Sequence, residues 1–234
     1  MQIENNPPES IEENHDFLVP VECYFILQIP KQPPDLMFLA LHGYGMTART
    51  MLDLSKILLG SGRLIASLQA PFAFYLQQNQ PKSPVGYNWG TRDHGTANIQ
   101  LHHNMIRLVR RQLEDRFGIP AKRTILLGFS QPVGFNYRFA ATHPDEIGGV
   151  IGICGGVPKD WESGNYLNVS CPLLHIARKE DEFFPESVTS DYKRKLSTRA
   201  NDVEFHLLPG GHKFPSQGGP IVQSWLQRVM PATG

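Results

Sequence analysis

The order of apolar and polar positions divides the chain into short apolar runs separated by segments of helical period. The run Leu36-Met-Phe-Leu-Ala-Leu41 has no polar interruption, which predicts a strand covered on both faces and hence a parallel sheet. Similar runs at Arg63 to Leu68, Thr124 to Leu127, Ile147 to Ile153, Pro172 to Ala177 and Val203 to Leu208 predict further strands. Phe17 to Ile29, which contains Pro20 and stops at Pro30, predicts an early strand that is antiparallel or at an edge. Between these runs Met51, Leu54, Ile57 and Leu58 recur at helical spacing, with Thr47 able to cap the start and Gly60 and Gly62 closing the end. Ala97 to Phe117 carries Leu101, Met105, Val109 and Leu113 at intervals of four and stops at Gly118 and Pro120. Further helices are expected from Pro132 to Thr142 and near Pro185 to Arg199 and Pro220 to Met230. Strand and helix alternate, so the expected fold is α/β: a mainly parallel sheet with helices on both faces.

Two stretches break the alternation. Residues 1–16 are polar, acidic and proline-bearing, which predicts a flexible arm ahead of one domain over 17–234. Phe72 to Gly95 reads as a long loop holding Tyr75, Tyr87, Trp89 and Asp93, and its aromatic content marks it as functional.

Composition narrows the partners. A chain of 234 residues suits one large domain, and 22 basic against 22 acidic side chains leave no net field to draw it onto nucleic acid or an anionic membrane. Arg107, Arg110 and Arg111, on the polar side of the long helix, read as solvated surface. Cys23, Cys154 and Cys171 are odd in number and far apart, as reduced core cysteines would be, and they fit neither a disulfide frame nor a metal site. No signal peptide or bilayer-length apolar run is visible, so a cytoplasmic protein acting on a small molecule is expected.

The chemistry gathers around Gly128-Phe-Ser130-Gln-Pro132, where a strand meets a helix through one sharp turn. Such a turn, a nucleophile elbow, projects the serine Oγ above the sheet, and the N–H of the next residue, Gln131, can stabilise an oxyanion. Gly128 permits the tight backbone, and Pro132 suits a first helical turn that needs no N–H. Pro132 nevertheless stands where the usual pattern has a glycine that lets helix and strand approach. The ring is therefore expected to push the helix outward or re-aim Ser130, and a residue before proline is biased away from the α region.

Ser130 needs a base and an acid to orient that base. Of nine histidines, His206 lies on a strand, His102 and His103 on the long helix, His143 at a helix end, and His175 inside a strand. His212 follows Pro209-Gly210-Gly211 in a loop after the last strand, at the sheet edge where ligands of open α/β folds bind. For the acid, Glu180-Asp181-Glu182 follows the Pro172 to Ala177 strand; Asp181 is the first choice and Glu180 the reserve. The second oxyanion donor is expected from the Tyr44 N–H in the turn His42-Gly43-Tyr44-Gly45.

These motifs resemble those of the phospholipase/carboxylesterase family of α/β-hydrolases, which includes the acyl-protein thioesterases. The resemblance runs from about Leu36 to Leu226 through His-Gly-x-Gly at His42 to Gly45, Gly-Phe-Ser-Gln at Gly128 to Gln131, Asp-x-x-x-Pro at Asp181 to Pro185 and Gly211-His212. It implies a triad of Ser130, Asp181 and His212, oxyanion amides from Tyr44 and Gln131, no metal or organic cofactor, and no large lid domain. Trp89 resembles the family's aromatic acyl-side loop loosely and is the candidate substrate contact. The expected activity is hydrolysis of a carboxylic ester through an acyl-Ser130 intermediate. A thioesterase with the same site is the rival among enzymes, and a catalytically impaired hydrolase fold that binds a small molecule is the rival outside them. The number of subunits is left open, a homodimer included.

Overall fold

The computed structural model describes residues 13, 15, 17–77, 80 and 82–231. Most of the expected arm lies outside the described residues. Residues 17–24 form no strand, and the first strand, β1 (Phe25–Gln28), is shorter than the apolar pattern suggests. It pairs antiparallel with β3 (Leu64–Leu68) at the sheet edge, as an edge strand next to prolines should. β2 (Met37–Leu41), β6 (Thr124–Phe129), β7 (Gly149–Ile153), β8 (Leu173–Arg178) and β9 (Val203–Leu208) join β3 in parallel, in the order β1-β3-β2-β6-β7-β8-β9.

The unbroken apolar runs are explained by burial on both sides of this sheet. Met37, Leu39 and Leu41 of β2 pack under α2 (Gly95–Phe117) and α3 (Pro132–Thr142) with Ile106, Leu113 and Tyr137. Phe38 and Ala40, one residue out of phase, pack with Met51 and Leu58 of α1 (Ala48–Leu59) and Trp225 of α6 (Gly219–Val229). Thr47 caps α1 by accepting from the Thr50 N–H at 3.2 Å, and Gly60 at φ 84° ends it.

Three expectations change. The loop from Phe72 to Gly95 contains a hairpin, β4 (Phe72–Tyr75) against β5 (Val85–Asn88), because Phe-Ala-Phe-Tyr is a β-prone run too short to stand out by period. The segment from Pro185 to Arg199 folds as two short helices, α4 (Glu186–Thr189) and α5 (Tyr192–Ser197). The third concerns Arg107 and Arg110 on α2, a helix whose stripe of Leu101, Met105, Val109 and Leu113 packs in the core and whose buried face widens to take in Asn98, His102, Ile106 and Arg110. Arg107 and Arg110 are not solvated surface: Arg107 Nε donates to both Glu146 oxygens at 2.8 and 3.0 Å, and Arg110, 6% exposed, pairs with Glu114. Among the described residues no helix is long and apolar enough to cross a membrane.

Candidate active site

β6, central in the sheet, ends at Phe129, and the chain turns into α3 through Ser130 at φ 62°. A positive φ at a residue with a Cβ costs about 1 kcal/mol or more, and such strain is found where function requires it. The close approach of α3 is made by glycines on the strand side of the turn. A Cβ on Gly128 would stand 2.7 Å from Asn136 Nδ2, one on Gly152 would stand 2.5 Å from the Tyr137 hydroxyl, and one on Gly155 would stand 2.5 Å from Ser130 O. Pro132 occupies the first helical position, where no N–H is needed.

Above β6 the loop after β9 brings His212 over the serine. His212 Nε2 is 2.9 Å from Ser130 Oγ, so Pro132 has not carried the hydroxyl out of reach. His212 Nδ1 is 2.8 Å from Asp181 Oδ2, and the other carboxylate oxygen accepts from the Phe183 and Phe184 N–H groups, each at 2.9 Å. Asp181 is 2% exposed, and its hydrogen bonds to His212 and to the Phe183 and Phe184 N–H groups fix the carboxylate in place. The reserve acid, Glu180, is engaged elsewhere: its side chain accepts from the Gly210 N–H. The His212 imidazole lies among the rings of Phe129, Phe183 and Phe184, with centroids 5.4, 4.8 and 5.9 Å away.

The turn after β2 faces the elbow. Among the described residues neither the Tyr44 N–H nor the Gln131 N–H donates to another protein group. Both residues line a cavity of about 410 Å³ with Ser130, Phe183, Phe184 and His212. A second cavity of about 400 Å³ opens on the other side of Ser130, walled by Ile99, Phe135, Val157 and Pro158. Arg138 reaches its edge but is held in a two-point pair by Asp160, 2.8 and 2.7 Å away, so this wall is electrostatically neutral.

Trp89 is 1% exposed and lines neither cavity; it lies beneath the site. Its indole N–H donates to His42 O at 2.8 Å. The His42 ring donates from Nδ1 to Gly43 O (2.8 Å) and accepts at Nε2 from the Ala70 N–H (3.0 Å), so it is the neutral Nδ1–H tautomer. Burial, partly offset by the Gly43 bond, pushes its pKa down to about 4 and keeps it neutral. Sequence reasoning missed this buried polar set and the side chain of Gln131. The signal available was Gly90, which sits at φ 138° and whose Cβ would strike Asn98.

The fold, the elbow and the glycine turn agree with sequence comparison, in which a model of the Phospholipase/Carboxylesterase family matches residues 22–230. The chain belongs to the phospholipase/carboxylesterase family of α/β-hydrolases. It is an esterase-type hydrolase by that membership. Similar solved structures include a carboxylesterase from Mesorhizobium loti, with TM-score 0.71, 18% identity, 92% of this chain covered and 99% of that one. The Bacillus cereus carboxylesterase gives TM-score 0.70, 14% identity and 89% and 95% coverage. A phospholipase/carboxylesterase from Dyadobacter fermentans gives 0.66, 22%, 88% and 97%. At these identities the likeness is one of fold.

Proposed function

We propose that this member of the family hydrolyses carboxylic esters through an acyl-serine intermediate, with Ser130 as nucleophile, His212 as general base and acid, and Asp181 as the group that orients His212. The observation that carries the reading is the continuous relay Ser130 Oγ, His212 Nε2, His212 Nδ1, Asp181 Oδ2, with both links under 3 Å. His212 accepts the serine proton as Oγ attacks the ester carbonyl, and Asp181 stabilises the resulting imidazolium. The carbonyl oxygen becomes an oxyanion that accepts from the Tyr44 and Gln131 N–H groups. Collapse of the tetrahedral species breaks the ester C–O bond, and His212 returns its proton to the leaving alkoxide. Water then enters, gives a proton to His212 and attacks the acyl carbon, releasing the acid and restoring Ser130.

Because the leaving oxygen must face His212, the alcohol belongs in the cavity with Tyr44 and Phe183, and the acyl group in the one walled by Ile99, Phe135, Val157 and Pro158. Apolar linings and a neutralised Arg138 favour uncharged groups on both sides. Three free cysteines suit a reducing, cytoplasmic setting.

The test is intact-mass spectrometry after exposure to a fluorophosphonate, followed by an ester and thioester panel. One adduct on the wild type, none on Ser130→Ala, and loss of nearly all turnover in the variant are expected. A folded wild type that takes no adduct would instead support a binding protein, and faster turnover of thioesters than of matched esters would favour the thioesterase.

A further inference from the structure

The turns that carry the two oxyanion amides come from different strands, and the sheet does not hold them together where it matters. The β2–β6 ladder stops at the pair Leu41 and Gly128, before either turn begins. Beyond that pair the described residues show no hydrogen bond running directly from His42–Gly45 to Phe129–Pro132. The connection passes through a third segment, the end of the β4–β5 hairpin. The Gln131 side chain grips that segment at two points: Oε1 accepts from the Trp89 N–H at 3.0 Å, and Nε2 donates to Gly90 O at 2.9 Å. The segment in turn holds the other turn, through Trp89 Nε1–H to His42 O at 2.8 Å and through Gly45 N–H to Tyr87 O at 2.8 Å. Its far end is fixed to α2, where Asn98 Nδ2 donates to Thr91 O and Asp93 O at 3.2 and 2.9 Å.

A second observation points the same way. Gln131 precedes a proline and should avoid the α region, yet it stands at φ −50° and ψ −49°. A two-point side-chain attachment is what can hold that backbone, and with it the N–H of Gln131, in place.

We propose that the Gln131 side chain and Trp89 are positioning residues that set the separation of the two oxyanion amides. Trp89 thereby has no substrate contact; its ring links the turns from below. The inference rests on the esterase reading above. An oxyanion site rewards donors placed to within a fraction of an ångström, and misplacement of about 1 Å costs about 100-fold. The bonds of this brace are made before substrate arrives, so loosening it should lower kcat and leave KM nearly unchanged.

Trp89→Phe removes the indole N–H together with part of the ring, and Gln131→Met keeps the side-chain length without either hydrogen bond. With p-nitrophenyl butyrate as the probe, each variant is expected to lose about 10- to 100-fold in kcat with KM within about threefold of wild type. A trifluoromethyl ketone, which forms a tetrahedral oxyanion on the serine, should weaken in proportion to the loss in kcat/KM, a link that general softening of the fold would not produce. Gln131→Glu, which keeps the acceptor for the Trp89 N–H, should recover part of the loss seen in Gln131→Met. Wild-type kcat in both folded variants, or a rise in KM at constant kcat, would overturn the brace. Should Trp89→Phe fail to fold, the Gln131 pair decides alone. Fluorophosphonate labelling of the wild type and not of Ser130→Ala separates the two failures: if it holds while the variants match wild type, only the brace is wrong.

Discussion

The two sides of Ser130 are built differently. On one side Asp181 and His212 sit on loops after β8 and β9, their imidazole and carboxylate bordered by Phe183, which is 68% exposed. On the other side His42, Trp89 and the Gln131 amide lie at or below the surface of the core, with His42 and Trp89 at 0% and 1% exposure. In the proposed mechanism the first side moves protons and needs access to substrate and water. The second moves nothing and must be rigid, so it is assembled from buried hydrogen bonds whose loss leaves polar groups stranded. The residues proposed to transfer protons are therefore recognisable by residue type, and those proposed to aim the oxyanion amides only by contact.

That contrast can be broken most forcefully on the wet side. Ser130→Ala or His212→Ala should lower kcat by about 10⁴-fold or more, Asp181→Asn by about 10³- to 10⁴-fold, and a double variant by little beyond the worse single one, because the three act as a unit. Steady-state kinetics that found additive losses would show that they do not. On the dry side the brace variants should cost about 10- to 100-fold, in kcat alone.

Acid should sharpen the contrast. Burial lowers His42 and His103 to about 4 and His175 to about 3, so each stays neutral in the fold while its unfolded counterpart titrates near the ordinary histidine value of about 6.5. Their contribution to stability is complete above about pH 6.5 and is lost as pH falls toward 4, because the unfolded chain takes up protons the folded one refuses. Urea midpoints measured at pH 7.5, 6 and 5 should fall steadily, and a flat series would contradict this account. The smallest effect belongs to Pro132→Gly. Strand-side glycines already allow the close approach, so kcat/KM should stay within about twofold, while stability falls by about 0.4–1 kcal/mol through the freer unfolded chain. A tenfold change in kcat/KM would restore the view that the ring misaligns the elbow.

The sheet was legible because its strands are apolar on both faces, and the elbow because a strand, a small turn and a proline-started helix share one short motif. That Asp181 and His212 would come together near Ser130 was legible because they follow the last two strands, where a parallel sheet presents its loops. The hairpin was not legible: four-residue strands such as Phe72–Tyr75 and Val85–Asn88 are too short to display a period. The inner face of α2 was legible only in part: the Leu101-Met105-Val109-Leu113 stripe does pack in the core, but Asn98, His102 and Arg110 beside it are polar and gave no apolar signal. Trp89 looked like a pocket wall because an aromatic near a site serves as wall or prop with the same letter, and only the indole bond to His42 O tells them apart.

The φ of 62° at Ser130 has a consequence for endurance. Glycine adopts that conformation without the Cβ penalty, so Ser130→Gly should unfold at a higher temperature than the wild type while hydrolysing nothing. At this position turnover and durability are expected to pull on the chain in opposite directions, and a search for heat-tolerant variants that did not also demand activity would drift toward discarding the proposed nucleophile.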